Sequence, residues 1–243
     1  MQAVKRAVKA LLQRSGYRLA REGEAVPYPY LDVLDVLLHA KVLAGQSPYF
    51  VQIGANDGQT GDPLHHLVDR YSLSGLLVEP QPDVYARLLR NCSGNPRLQF
   101  ANALVGPGGG CQTLYVPKVG DLVPERLGQA ASQDRRQLEA VLTLHFQRTN
   151  QREALARLPD LIVPIQVPCM PIETLLDRHG VSRVDLLVLD TMGYDFQILQ
   201  QYPFSRSPPE IIHFEHRLLP RQEHRHCCEF LGERGYRLCM VEM

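Results

Sequence analysis

The sequence lacks an excess of charge of either sign. Lys and Arg number 26, Asp and Glu number 26, and the chain has 243 residues. That balance excludes the basic field with which proteins hold nucleic acid, so no nucleic-acid partner is expected. The chain also lacks a paired cysteine framework. Cys92, Cys111, Cys169, Cys227, Cys228 and Cys239 fall at irregular intervals. This excludes a small disulfide-stapled scaffold and fits reduced, mostly buried thiols in a cytoplasmic protein. No apolar run approaches the roughly 20 residues of a membrane-spanning helix. The apolar run near the N-terminus is cut at Gln13 and Arg14, so a signal peptide is not expected. There is no internal repeat and no low-complexity tract, and no three-glycine signature of a dinucleotide binder.

What is present is an alternation of apolar strands and amphipathic helices, enough for one α/β domain with insertions. Strands are expected at Tyr49–Ile53, Leu76–Val78, Leu98–Leu104, Gln112–Val116, Ile165–Cys169, Val184–Leu189, Ile211–Phe214 and Tyr236–Val241. The turn cluster Gly106-Pro107-Gly108-Gly109-Gly110 predicts a hairpin between the third and fourth of these. Helices are expected between most of the others, with Pro82 suited to the first turn of its helix. The fold class is therefore α/β, a doubly wound, mostly parallel sheet. Residues 117–160 have no strand pattern. Leu138, Val141, Leu142, His145 and Phe146 share a helical face there, which predicts a helical insertion with a mobile approach loop, of the kind that covers or flanks an active site or makes a dimer interface. Residues 1–45 read as a helical extension and 46–243 as the main domain. Within the extension Val4, Val8, Leu11 and Leu12 form one face of a basic helix. Packing against the domain or a second copy of the chain is the preferred reading. Weak contact with an anionic membrane surface is the alternative.

The most specific signal is Phe50-Val51-Gln52-Ile53-Gly54-Ala55-Asn56-Asp57-Gly58, with Glu79 after a second apolar run. Strand, glycine turn, helix, strand and acid, in that order, make a nucleotide pocket at the carboxyl edge of a parallel sheet. Gly54 and Gly58 permit a sharp turn and close approach to a ligand. Glu79 stands where a carboxylate meets ribose hydroxyls. The turn is Gly-x-Asn-x-Gly and too short for a pyrophosphate, which favours S-adenosylmethionine over NAD.

A second signal is Val184 to Asp195, where an apolar strand delivers Asp190 to the same edge. Gly193 allows a tight turn, and Asp195 falls in the first turn of the next helix, where a carboxylate is stabilised. The following strand ends in Ile211-Ile212-His213-Phe214-Glu215-His216, with His213 and Glu215 on one face. The cluster His224, His226, Cys227 and Cys228 lies on a helix where neighbours point apart, so no metal site is expected.

These pieces resemble the FkbM-type methyltransferases, a family of class I S-adenosylmethionine-dependent enzymes. The matching segments are Val51–Gly58, Val78-Glu79-Pro80, Asn102-Ala103-Leu104, Ile172–Leu176, Leu189–Asp195 and Pro209–Glu215, in order over about residues 49–243. The resemblance implies a Rossmann-like seven-stranded sheet and methylation of a hydroxyl on a sugar, glycan or secondary metabolite. It implies a donor site of Gly54, Asn56, Asp57, Gly58, Glu79, Pro80, Asn102, Ala103 and Asp190. Asp190, His213 and Asp195 are the candidates, in that order, for the base or positioning role. Two positions depart from the pattern. Gln52 stands where the family has an acid, and Met192 where it has a glutamate. The second departure keeps open an alternative in which the chain binds cofactor with little catalysis and acts through a protein partner.

Overall fold

The computed structural model describes residues 32–240. The basic N-terminal helix expected at Val4–Leu12, the Pro27-Tyr28-Pro29 loop and the last residues lie outside the described range. The chain divides between Ala40 and Lys41 into two units. Helix α1 (Val33–Leu43) runs across that boundary. Asp32 caps its start, where its Oδ1 accepts the N–H groups of Leu34 (2.9 Å) and Asp35 (3.2 Å). Everything that follows concerns the second unit.

Its centre is a parallel sheet of five strands: β1 (Tyr49–Ile53), β2 (Ser74–Val78), β3 (Leu98–Ala101), β7 (Leu186–Leu189) and β8 (Ile211–Phe214). The spatial order is β3-β2-β1-β7-β8. The order runs outward in both directions from the β1–β7 pair. With right-handed crossovers, helices α2 (His65–Arg70) and α3 (Pro82–Cys92) cover one face, and α7 (Asp195–Gln201) covers the other. Between β1 and β7 the strand order reverses, which leaves a crevice at their carboxyl ends. The strands are nearly continuous apolar runs because both faces are covered. Val51, Ile53, Leu187 and Leu189 pack with Leu175 and Leu176 of α6 (Ile172–Arg178), Ile198 and Leu199 of α7, and Leu231 of α8 (Arg221–Glu233).

The seven-stranded count is not found among the described residues. Three expected strands explain the difference. Leu98–Leu104 breaks at Asn102, whose amide Nδ2 donates to the carbonyls of Glu79 (2.8 Å) and Pro80 (3.1 Å) instead of continuing the ladder. The remainder is a two-residue strand, β4 (Leu104–Val105). The segment Ile165–Cys169 belongs to β6 (Ile162–Met170), which with β5 (Gly110–Pro117) forms a separate three-stranded sheet in the order β4-β6-β5. Pro164 and Pro168 offer no N–H to a further strand, and β4 pairs with β6 only at Cys169 and Met170. Residues 236–240 form no strand, and Tyr236 instead completes the C-terminal cap of α8 through its N–H to the Leu231 carbonyl (3.1 Å).

The expected hairpin is also absent. The glycine cluster does connect β4 to β5 (Gly110–Pro117), but β6 lies between them and pairs antiparallel with β5. The insertion holds α4 (Arg135–Arg148) and a shorter α5 (Arg152–Ala156). Leu138, Leu142 and Phe146 are its buried face, packed with Val123, Ala154, Leu161 and Ile162. Val141 and His145 of the expected face are only half-buried. Among the described residues no helix is long and apolar enough to cross a membrane, and all six cysteines are free.

One side chain fixes the strand pair that frames the crevice. Asp185 is buried, its Oδ2 accepts the Tyr49 N–H (2.8 Å), and its Oδ1 accepts Arg183 Nε (2.7 Å). Asp185→Ala leaves the first N–H of β1 without an acceptor and should cost about 2–3 kcal/mol of stability. Urea denaturation measures this, and a loss below about 0.5 kcal/mol would contradict that role.

Candidate functional site

The site is built on the turn after β1. Gly54 has φ +83°, and a Cβ there would collide with the carbonyl oxygen of Asp190. Only glycine lets β1 pass this close to the end of β7. The N–H groups of Gly54 and Ala55 both donate to the Val78 carbonyl (2.9 Å each), which fastens the turn to the end of β2. Asn56 also has a positive φ, +51°, and its N–H points to Glu79 Oε2 (3.0 Å). The Gln81 N–H, at the entrance to α3, donates to Glu79 Oε1 (2.9 Å). One buried carboxylate thus joins two turns.

Asp57 works behind the turn. Its Oδ1 accepts the N–H groups of Gln59 (3.0 Å) and Thr60 (2.7 Å), and its Oδ2 accepts Thr60 Oγ1 (2.8 Å) and Gln129 Nε2 (2.9 Å). Burial pushes its carboxyl up, but these hydrogen bonds together outweigh burial and hold it below its ordinary value. Gly58 (φ +71°) lies against α3, where a Cβ would meet Cys92 Sγ and Leu88 Cδ1 at 2.7 Å.

A cavity of about 270 Å³ opens at this edge. Of the residues read from the sequence, Gly54, Asn56, Glu79, Pro80, Ala103 and Asp190 line it. Asp57, Gly58 and Asn102 stand behind the lining and hold its backbone in place. Asp195 is fully buried in the first turn of α7 and does not reach the cavity. His213 is half-buried on β8, in register with Val188, and does not line it either. Among the described residues no group of three or more His, Cys, Asp or Glu side chains is arranged to hold a metal ion.

Sequence reasoning expected the insertion to flank the site but left two things unnamed. The first is which of its residues form the wall: Arg126 and residues 129–133 line the cavity. Gln129 ties this wall down: its Oε1 accepts Asn56 Nδ2 (3.1 Å), and its backbone carbonyl accepts Gln81 Nε2 (2.9 Å). The second is the partnership of Asp190 with Glu215, whose side chains are hydrogen-bonded across the ends of β7 and β8. The register Leu189 to Phe214 was the signal that could have paired them.

Met192 has φ +53° and Gly193 φ +85°, so the backbone leaves β7 through two left-handed residues. The Met192 side chain lines the cavity and packs on the apolar cluster of the insertion. Where an acid would face a ligand, this chain has a thioether that joins the insertion to the wall.

The electrostatics are those of crowded acids. Burial pushes Glu79 up to about 7, opposed by the Gln81 and Asn56 N–H groups and reinforced by the Asp190 charge. Burial likewise lifts Glu215 to about 7, with the charges of Asp190 and Asp195 adding to it. Asp195 rises to about 6 through burial, against the Thr191 hydroxyl bonded to its Oδ2 (3.0 Å). Asp190 is also raised by burial, while its hydrogen bond from Glu215 favours its ionised form. Its side chain opens to the cavity while protein surrounds it on the other sides. Burial and the neighbouring Asp190 charge thus both favour the protonated form of Glu215, while the hydrogen bond favours the ionised form of Asp190.

Residues 52–238 match the family described as the methyltransferase FkbM domain. No curated protein and no solved structure matches the chain.

The raised carboxyls set a sign for stability against pH. Between the unfolded value of 4.5 and the folded value of about 7, native Glu79 binds more protons than unfolded Glu79. Stability contributed by the group is full below that window and falls as pH rises through it, by up to about 1.4 kcal/mol per pH unit. Glu79→Gln removes the titration. The stability of the wild type relative to this variant should therefore fall from pH 4.5 to 7, measured by urea melts across the range. A flat or rising difference would contradict the raised Glu79.

Proposed function

This chain belongs to the FkbM methyltransferase family, and from that premise we propose that it is an S-adenosylmethionine-dependent O-methyltransferase. Its acceptor is a hydroxyl of a sugar, a glycan or a secondary metabolite. The observation that carries the reading is the joint lining of one cavity by Gly54, Asn56, Glu79 and Asp190. The donor fits these residues. The Glu79 carboxylate lies at the cavity with one backbone N–H on each oxygen, so each oxygen keeps a lone pair for a ribose hydroxyl. Gly54 brings the backbone to the pocket where a side chain would not fit. Pro80, Ala103 and Asn56 complete the donor wall, with Asp57, Gly58 and Asn102 bracing it from behind. The residues 46–243 constitute this catalytic domain, and the insertion 117–160 flanks the acceptor.

S-adenosylmethionine supplies a methyl group on a sulfonium, a strong leaving group, so the protein's main task is alignment. The rigid turn from Gly54 to Gly58, the buried Glu79 and the insertion wall are suited to that task. The acceptor hydroxyl loses its proton as it attacks. An Asp190 carboxylate oxygen at the cavity is the group placed to take that proton, and Glu215 shares the charge through their hydrogen bond. Such a base is worth about 10²–10⁴-fold. His213 and Asp195 lie outside the lining and act at most through Asp190. Gln129, Ser132, Gln133 and Thr191 give the rest of the cavity a polar wall suited to a hydroxylated acceptor. Met192 cannot carry a proton and is a poor ligand for Mg²⁺, so methyl transfer is expected to be insensitive to chelator.

Calorimetry and a labelled-methyl assay test the reading together. S-adenosylmethionine and S-adenosylhomocysteine should bind and NAD should not. A glycan pool incubated with labelled donor should gain label that Asp190→Asn lowers by about 10²–10⁴-fold. Binding of NAD alone would overturn the donor assignment. Full activity in Asp190→Asn would remove Asp190 as the base.

A further inference from the structure

The cavity is acidic, and one side chain runs against that trend. Glu79 and Asp190 line it, while Arg126 is the one cationic side chain among the described residues that do so. Arg126 sits in the short 3-10 turn Glu125–Leu127, in the loop ahead of α4. The adjacent Glu125 does not neutralise it, because Glu125 faces Arg87 of α3 (Oε1 to Nη1 3.9 Å). Among the described residues no ion pair or hydrogen bond involves the Arg126 guanidinium. It therefore presents five N–H donors with no acceptor supplied by the fold.

The loop that carries Arg126 is anchored, while the Arg126 side chain itself is exposed. Three residues on, Gln129 is bonded at three of its atoms, to Asn56 and Asp57 in the turn after β1 and to Gln81 before α3. Two of those partners, Asn56 and Gln81, also bind the Glu79 carboxylate. The anchor thus keeps Arg126 at the wall where the donor reading above places its ligand.

We infer that Arg126 is the anion-reading residue of this cavity, pairing with a carboxylate of a bound ligand. The inference rests on the donor reading. Two ligands bring such a group: the donor, through its amino-acid end, and an acidic sugar as acceptor. In either case the carboxylate enters a pocket that already holds two acids. A guanidinium at the wall offsets that repulsion and matches carboxylate geometry.

Calorimetry on the full chain, wild type against Arg126→Gln, separates these sources with three probes. S-adenosylhomocysteine keeps the carboxylate, and 5′-deoxy-5′-methylthioadenosine lacks it. Glucuronate is titrated into protein saturated with S-adenosylhomocysteine. If Arg126 holds the donor carboxylate, the variant binds S-adenosylhomocysteine about tenfold more weakly and methylthioadenosine unchanged, the scale of one charge-assisted hydrogen bond. The wild-type preference for the first ligand should also shrink as salt rises, and the variant's should not. If Arg126 serves the acceptor, both nucleosides bind as before and the wild type's glucuronate binding is lost in the variant. Equal weakening of both nucleosides, or no change with any of the three probes, overturns the assignment. If the wild type binds neither nucleoside, the donor reading fails instead, and glucuronate titrated into free protein then decides Arg126 by the same criterion.

Discussion

The Glu79 carboxylate is the interaction on which the rest of the site depends. Its two oxygens take the N–H groups of Asn56 and Gln81, so a single buried acid holds the turn after β1 against the entrance of α3. Asn102 supports it from the next strand by binding the carbonyls of Glu79 and Pro80. That choice breaks β3 from β4 and sends the chain into the second sheet. The cost of burying the acid appears as its elevated pKa. A ligand that donates hydrogen bonds to it recovers part of that cost, which makes Glu79 a binding group as well as a brace.

Around this centre the fold brings two other devices to one edge. Gly54 lets β1 approach the Asp190 carbonyl, so the turn after β1 and the acid at the end of β7 share a wall. The β7–β8 register places Glu215 beside Asp190, and two carboxyls so close cannot both ionise freely. Gln129 then ties the insertion to the same turn. The sheet edge, the carboxyl pair and the insertion wall form one assembly, as alignment chemistry in a methyltransferase requires.

Local pattern made the central strands legible. Phe50 to Ile53, Leu76 to Val78 and Leu186 to Leu189 are apolar runs ending in glycine or acid, and each is a parallel strand of the central sheet. The placing of Gly54, Asn56, Glu79 and Asp190 at one cavity followed from strand order, because carboxyl ends of adjacent parallel strands lie together. What depended on distant partners was not legible. Ile165 to Cys169 reads as a strand, but only the prolines at 164 and 168 hint that it belongs elsewhere. Gln129 is one glutamine in a Gln-rich stretch, and its value lies in bonds to residues 48 and more positions away. His213 and Asp195 stood behind Asp190 as candidates by position, and the fold widens the gap: burial separates Asp195 from the cavity and β8 sets His213 away from its lining. Met192 reads as a lost acid; in the fold it is an apolar link to the insertion.

The central claim is that Glu79 receives the ribose of the methyl donor. At pH 6.5 the free carboxyl, raised to about 7, is largely protonated. Hydroxyl donors favour its ionised form, so binding should expel a proton. Calorimetry of S-adenosylhomocysteine binding in two buffers of different ionisation enthalpy measures this directly. The account predicts release of a substantial fraction of a proton, fading above pH 8 and absent in Glu79→Gln. Binding of the same ligand with no proton release at pH 6.5, or with release unchanged in Glu79→Gln, would contradict it.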